Sequence, residues 1–272
     1  MNYRHAFHAG NFADCMKHAL LVWLLQALAR KPAPFAVLDT HAGAGRYDLS
    51  GDAERTEEWR AGIARLLHQP PAALADYVSV VEAAGLYPGS PIIIRELLRP
   101  GDRLVCCELH PEDAATLRRE FAGDPQVGVH LRDGYAALGA LLPPVGAKRG
   151  LVLIDPPYEA PGEHTRVAEA FTTIARRFPT GIVAAWYPIK HRAPVRTLHE
   201  AVRLAGVRDV VAAELWLRDP TDPARLNGNG LLVRHPPYRW HEEWPAVLAA
   251  LLDRLGDREF GEGWSADRVT DE

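Results

Sequence analysis

Three cysteines in 272 residues cannot build a disulfide framework, and two of them, Cys106 and Cys107, sit side by side in an apolar run. The expectation is a reducing compartment, the cytoplasm. No apolar run approaches the ~20 residues that a membrane span needs. The opening Met1-Asn2-Tyr3-Arg4-His5 lacks the charged-then-apolar layout of a signal peptide, so neither membrane nor export is expected. A basic excess is missing too. The net charge of −4, with a pI near 6.3, argues against a protein that must stay clamped on nucleic acid. It leaves room for one that visits nucleic acid briefly through a local basic face. Gly43-Ala44-Gly45 is not followed by the third glycine of a dinucleotide fingerprint, which disfavours a nicotinamide dehydrogenase. His5 and His8 are spaced like metal ligands, with His18 near, but no cysteine or acid cluster matches their spacing. No metal is expected, and no internal repeat or low-complexity stretch is present.

What remains is the composition of an ordinary globular protein, 47% hydrophobic and 24% charged. Its patterning alternates short apolar strands with amphipathic helices, the mark of an α/β parallel sheet. A helix is expected from about Asn11 through the apolar run ending near Leu25. The first strand, residues 35–39, ends in Asp39 and runs into Gly43 and Gly45, where the backbone can pass close to a ligand. No acid ends a second strand at the usual ~20-residue distance. Residues 51–96 read instead as helices (56–67, 72–84, 92–98), an insertion that delays the second strand to 103–108 and its terminal Glu108. A carboxylate there can take both hydroxyls of a ribose. The third strand, 127–131, leads to Asp133-Gly134, suited to an adenine edge. After the fourth strand come a helix at 163–178, a fifth strand at 181–187 and a helix at 195–204. Strands at 209–217 and 231–234, joined across Asn227-Gly228-Asn229-Gly230, are expected as a hairpin-like pair at the sheet edge. A helix over 244–255 closes the chain, with the acidic tail after Gly256 expected to be surface or frayed.

The fourth strand organises the chain. Gly150-Leu151-Val152-Leu153-Ile154 is apolar throughout, as a strand covered on both faces must be. It stops at Asp155-Pro156-Pro157-Tyr158, where two prolines impose a stiff, extended exit. In open α/β sheets ligands bind at that end of the strands. A nucleobase amine is a poor nucleophile because its lone pair is delocalised into the ring. The Asp155 carboxylate and the Pro156 carbonyl can accept its two N–H bonds and favour the pyramidal form. Tyr158 offers a flat face to an unstacked base.

The acids at four strand ends and the Asp-Pro-Pro-Tyr exit resemble a class I S-adenosylmethionine-dependent methyltransferase of the amino-methylating type. Several further motifs are similar to those of the 23S ribosomal RNA adenine-N6 methyltransferases, the type acting on adenine 2030. They are the opening Tyr3-Arg4-His5-x-Phe7-His8-Ala9-Gly10-Asn11-x-Ala13-Asp14 with Lys17-His18, then Asp39-Thr40-His41-Ala42-Gly43-Ala44-Gly45-Arg46-Tyr47, Tyr87-Pro88-Gly89-Ser90-Pro91, Glu108-Leu109-His110-Pro111 and Trp186-Tyr187-Pro188. The resemblance implies a Rossmann-like sheet with helices on both faces, a small helical insertion at about 51–96 between strands one and two, and a single domain over 1–272. It implies an S-adenosyl-L-methionine pocket at Lys17, His41, Gly43, Ser90, Glu108, Asp133, Gly134 and Asp155. Asp155, with Pro156 and Tyr158, would be catalytic, and Tyr3 and Tyr158 would meet the RNA. The implied partner is protein-free 23S ribosomal RNA or an early assembly intermediate, acted on by a monomer. A DNA adenine methyltransferase would share the tetrapeptide, and a non-catalytic nucleotide-binding module is the plainer alternative. Lys190, His191, Arg192 and Arg196, just past the fifth strand, are placed to touch phosphates or simply to solvate a helix start.

Overall fold

The computed structural model describes residues 4–272, so Tyr3 lies outside the described residues. Strands β1 (Ala36–Asp39), β2 (Arg46–Tyr47), β3 (Tyr87–Pro88), β4 (Arg103–Glu108), β5 (Val127–Leu131) and β6 (Gly150–Ile154) precede β7 (Ile182–Ile189), β8 (Val210–Trp216), β9 (Gly228–Arg234) and β10 (Gly263–Thr270). Eight of them form one sheet in the order β10-β8-β9-β7-β6-β1-β4-β5. From β5 to β7 neighbours run parallel, and β9, β8 and β10 add antiparallel pairs beyond β7. Chain order reverses where β1 lies between β4 and β6, the switch point at which an open sheet leaves a crevice.

Helices α1 (Phe12–Ala29), α2 (Glu58–Ala61), α3 (Ile63–Leu67), α4 (Ala75–Ala84) and α5 (Ser90–Leu97) come before α6 (Pro111–Glu120), α7 (Gly134–Leu141), α8 (Glu163–Arg177), α9 (Arg192–Leu204) and α10 (Trp240–Leu255). The two-residue alternation of β6 explains the layers. Leu151 and Leu153 join a core with α1, α4, α5 and α10, while Val152 and Ile154 join a second core with α7, α8 and α9. All five residues of β6 are buried, as expected for a strand covered on both faces. Helix α1 is 18 residues long and apolar enough by length and composition to cross a membrane, contrary to the sequence expectation, but 78% of it is buried inside the fold. It starts where Asn11 caps the N–H groups of Ala13 and Asp14, each at 3.0 Å.

Four departures from the sequence reading have local causes. The expected helix over 56–67 breaks into α2 and α3 at Gly62, whose ψ of −112° leaves the helix and lets the Ile63 N–H donate to the Gly10 carbonyl at 2.8 Å, an approach too close for any Cβ at 62. Arg46–Tyr47 and Tyr87–Pro88 pair as a two-stranded ribbon, closing the two ends of the insertion on each other. Helix α5 starts at Ser90 and packs against β1 and β4, so it serves as the crossover between those strands. The tail is not frayed. β10 pairs with β8 along its length, which moves the β8–β9 hairpin off the edge. Its outer position tolerates the exposed Asp267 and Arg268, and such charges protect an edge strand from pairing further.

Candidate active site

Asp155 leaves β6 level with Trp186 of β7, since Ile154 pairs with Ala185. Tyr158, two prolines later, holds φ at +52°, an uncommon conformation for a bulky residue and one that concentrates at functional sites. Its hydroxyl donates to the Trp186 carbonyl at 3.0 Å, and its ring lies edge-on to the Trp186 indole, 5.7 Å between centroids. The phenol therefore braces the strand exit as well as lining it.

The second turn of α1 brings a cation to this exit from 138 positions away. Lys17, only 5% exposed, donates to Asp155 Oδ2 at 2.5 Å and pairs with Asp14 Oδ1 at 2.9 Å. Asp14 is buried as well and accepts from the Gly10 N–H at 3.0 Å, with His5 Nε2 also 3.0 Å away. Burial opposes the charge on Lys17, yet the two carboxylates outweigh it and hold its pKa above the ordinary lysine value. Burial likewise pushes Asp14 up, but His5 and Lys17 pull it well below the usual carboxylate range. Asp14 and His5 were not assigned to the site from the sequence. The available signal was an acid and a lysine three apart in the first two turns of a largely apolar helix, where only mutual pairing makes burial tolerable.

Around the crevice the strand-end acids are fixed by backbone groups. Glu108 accepts from the Gly43 N–H and the His110 N–H, both at 2.7 Å. That uses two of the acceptor positions of the carboxylate and leaves the others free for hydroxyl donors. Asp133 caps α7 through the Ala136 N–H at 3.0 Å and pairs with Arg166 at 3.1 Å. These interactions overcome its partial burial and hold its pKa below the usual value. Gly134 has no room for a side chain, since a Cβ would meet the Thr40 carbonyl oxygen at 2.1 Å. His41 accepts or donates to Thr40 Oγ1 at 2.8 Å beside the Tyr135 ring, and desolvation lowers it to about 4, so it is neutral at pH 7. Lys17, His41, Gly43, Ser90, Glu108, Asp133, Gly134, Asp155, Pro156 and Tyr158 all lie on the strand-end side of the sheet or on the α1 and α5 termini packed against it. Tyr3, expected near the RNA, is outside the described residues.

Asp39 is fully buried at the end of β1 and accepts from Ser90 Oγ at 2.7 Å. Burial pushes its carboxyl up to about 7, against the Ser90 hydrogen bond and with help from the Asp155 charge. Its ordinary value is about 3.9, so the folded state holds a proton there that the unfolded chain releases between roughly pH 4 and 7. Stability from this group is therefore present at low pH and lost as pH rises through that window. Asp39→Asn removes the titration. Its stability relative to the parent should rise by about 2 kcal/mol between pH 5 and pH 8. Any constant offset from the altered hydrogen bonds drops out of that slope. Denaturant unfolding at several pH values measures it, and a flat difference would show that Asp39 is ionised throughout.

A mostly parallel sheet with this strand order and an Asp-Pro-Pro-Tyr exit beside its switch point defines a Rossmann-like methyltransferase. Residues 32–269 match the family model described as Ribosomal RNA large subunit methyltransferase D, RlmJ, and the chain belongs to that family. It is 41% identical over 264 residues to the Ribosomal RNA large subunit methyltransferase J of Escherichia coli (strain K12), covering 94% of each chain. The protein of the same name from Haemophilus influenzae is 37% identical over the whole of both chains. A crystal structure of a Legionella pneumophila protein superposes with a TM-score of 0.87 at 34% identity, over 96% of this chain and 98% of that one.

Proposed function

We propose that this chain transfers a methyl group from S-adenosylmethionine to the exocyclic N6 amine of an adenine in 23S ribosomal RNA, adenine 2030 by the resemblance. One observation carries the reading: Asp155, held by Lys17 and followed by Pro156, projects from the strand end at the switch point of a sheet of this family. On this reading the chain is one methyltransferase domain over 1–272 with an insertion at about 51–96. It works as a monomer in the cytoplasm on protein-free RNA or an early assembly intermediate.

The residues present fit the cofactor. Glu108 is anchored by two N–H groups with acceptor capacity to spare for a ribose diol, and the glycine turn at Gly43 and Gly45 follows the β1 end closely. His41, Ser90, Asp133 and Gly134 frame the same crevice, and Lys17 and Asp155 close it from the α1 side. When bound, the cofactor supplies an electrophilic methyl group. The chain's own residues position the acceptor. Asp155 takes one amine N–H, and the Pro156 carbonyl takes the other. The Asp155 carboxylate also offsets the positive charge that develops on the nitrogen, in a site with little water. Lys17 keeps that carboxylate in place before the base arrives. The adenine must leave its stack to reach it, which costs a few kcal/mol and favours an unpaired or weakly paired target.

Label transfer from methyl-tritiated cofactor tests the reading. Protein-free 23S ribosomal RNA is expected to take up label that nucleoside digestion returns as N6-methyladenosine. Label on duplex DNA in preference to RNA would replace this reading with a DNA methyltransferase. Separately, Glu108→Ala removes a charge-assisted interaction worth roughly 1.5–3 kcal/mol. Cofactor affinity should fall about tenfold or more with the fold retained. Calorimetry showing unchanged affinity would remove Glu108 from the pocket.

A further inference from the structure

Arg192, Arg196, His199 and Arg203 recur at spacings of four, three and four along α9 and so share one face of the helix. Val195, Leu198 and Val202, about a quarter-turn round the helix, are buried and pin it to the sheet. The stripe runs along the margin of that buried face: Arg196 and Arg203 are exposed, Arg192 and His199 are half-buried, and burial lowers the His199 pKa, so the three arginines carry its charge. It lines a groove of about 320 Å³ between α9 and strands β8 and β10, with Arg268 and one exposed acid, Asp267, on the β10 side. α9 begins three residues after β7 ends, at the same edge of the sheet that carries Asp155. From Arg192 to Arg203 the stripe runs about 16 Å away from that edge.

The groove is electrostatically prepared. Its buried acid, Glu214, is matched by Arg192 at 2.5 Å and by the Tyr187 hydroxyl at 2.8 Å. The Arg192 guanidinium also lies over the Trp216 ring, 4.1 Å from its centroid. Arg196 is exposed and makes no hydrogen bond or ion pair among the described residues. Arg203 and Arg268 pair with Glu200 and Asp209 in solvent-accessible contacts of the kind worth little, which a phosphate can displace. At the head of the stripe, Lys190 and His191 are exposed as well. In a chain of net charge −4, such a run leading from the reactive edge complements a polyanion.

We propose that this groove is a track for the sugar-phosphate backbone of the RNA on one side of the methylated adenine. It rests on the function proposed above and adds where the rest of the substrate lies. Phosphate contacts of this kind position the nucleic acid without reading its sequence.

Filter binding of protein-free 23S ribosomal RNA transcript, across a series of salt concentrations, tests the track. A Lys190→Glu/Arg196→Glu double variant should bind about tenfold more weakly, with a salt slope smaller by roughly 1 to 2. Arg196→Lys should stay within about twofold, because the charge is kept. Cofactor affinity and the melting temperature should be unchanged, since both altered side chains are exposed. In methylation assays the double variant should raise the RNA KM and spare kcat. If wild type binds RNA and the double variant binds with the same affinity and slope, the track is wrong, and an acidic protein partner becomes the better occupant. RNA binding that depends on Arg196 without any methyl transfer would keep the track and overturn the function instead. No RNA binding by wild type would overturn both.

Discussion

Asp155→Ala is expected to abolish methyl transfer, by at least about a thousandfold, while cofactor binding and folding persist. Held at the strand exit by Lys17, the carboxylate can both accept an amine N–H and offset charge developing on that nitrogen. Asp155→Asn retains an acceptor oxygen in the same place and loses the charge. It should be slowed about ten- to a hundredfold, not silenced. Folding should survive in both because Lys17 keeps Asp14, 2.9 Å away, as a partner. Single-turnover methylation with saturating RNA and cofactor separates the chemical step from binding. An Asp155→Ala rate within about threefold of the parent would mean that Asp155 merely ends a strand, and that the mechanism proposed above fails.

The frame around Asp155 could be read from the sequence because each strand end carries its own signal. Apolar runs of four to six residues stop at Asp39, Glu108 and Asp155, and the run before Asp133 stops two residues short of it. Such local patterns survive without knowledge of the partners they will meet. The delayed second strand was legible for the same reason, since no acid-tipped strand lies between 40 and 103. What failed was decided by tertiary contact. Gly62 reads as a tolerable residue inside a helix until the backbone of Gly10 is seen against it. Gly263–Thr270 reads as a polar tail because an edge strand is half solvated and carries Asp267 and Arg268, so its pattern is diluted. The contact between α1 and the β6 exit is the most consequential of these. The family resemblance assigns Lys17 to the cofactor pocket, but nothing in the spacing of Lys17 and Asp155 places them 2.5 Å apart. Nor does it place Asp14 behind them.

That contact carries the largest expected effect on stability. Lys17→Met should destabilise the fold by about 3–5 kcal/mol near neutral pH, because a buried cation is removed and its carboxylates stay. Asp14 bears most of this. It is 3% exposed, and without Lys17 only His5 and the Gly10 N–H remain to hold its charge among the neighbours described above. The pH dependence gives the cause away. In the parent, the pKa of Asp14 is depressed, so its contribution is full above the unfolded value of about 3.9 and lost only as pH falls through the lower folded value. Removing Lys17 raises the folded value and moves that loss to higher pH. The gap between parent and variant should therefore be widest at pH 7–8 and shrink towards pH 4, where Asp14 can take a proton in place of its lost partner. Asp14→Asn added to Lys17→Met should recover part of the loss, since the uncompensated charge goes with it. Urea unfolding of the three proteins at pH 5 and pH 8 checks all of this. A Lys17→Met penalty below about 1 kcal/mol at pH 8 would mean that water already solvates the pair. A penalty that is large but the same at both pH values would point to lost packing of the lysine stem instead of an unpaired carboxylate.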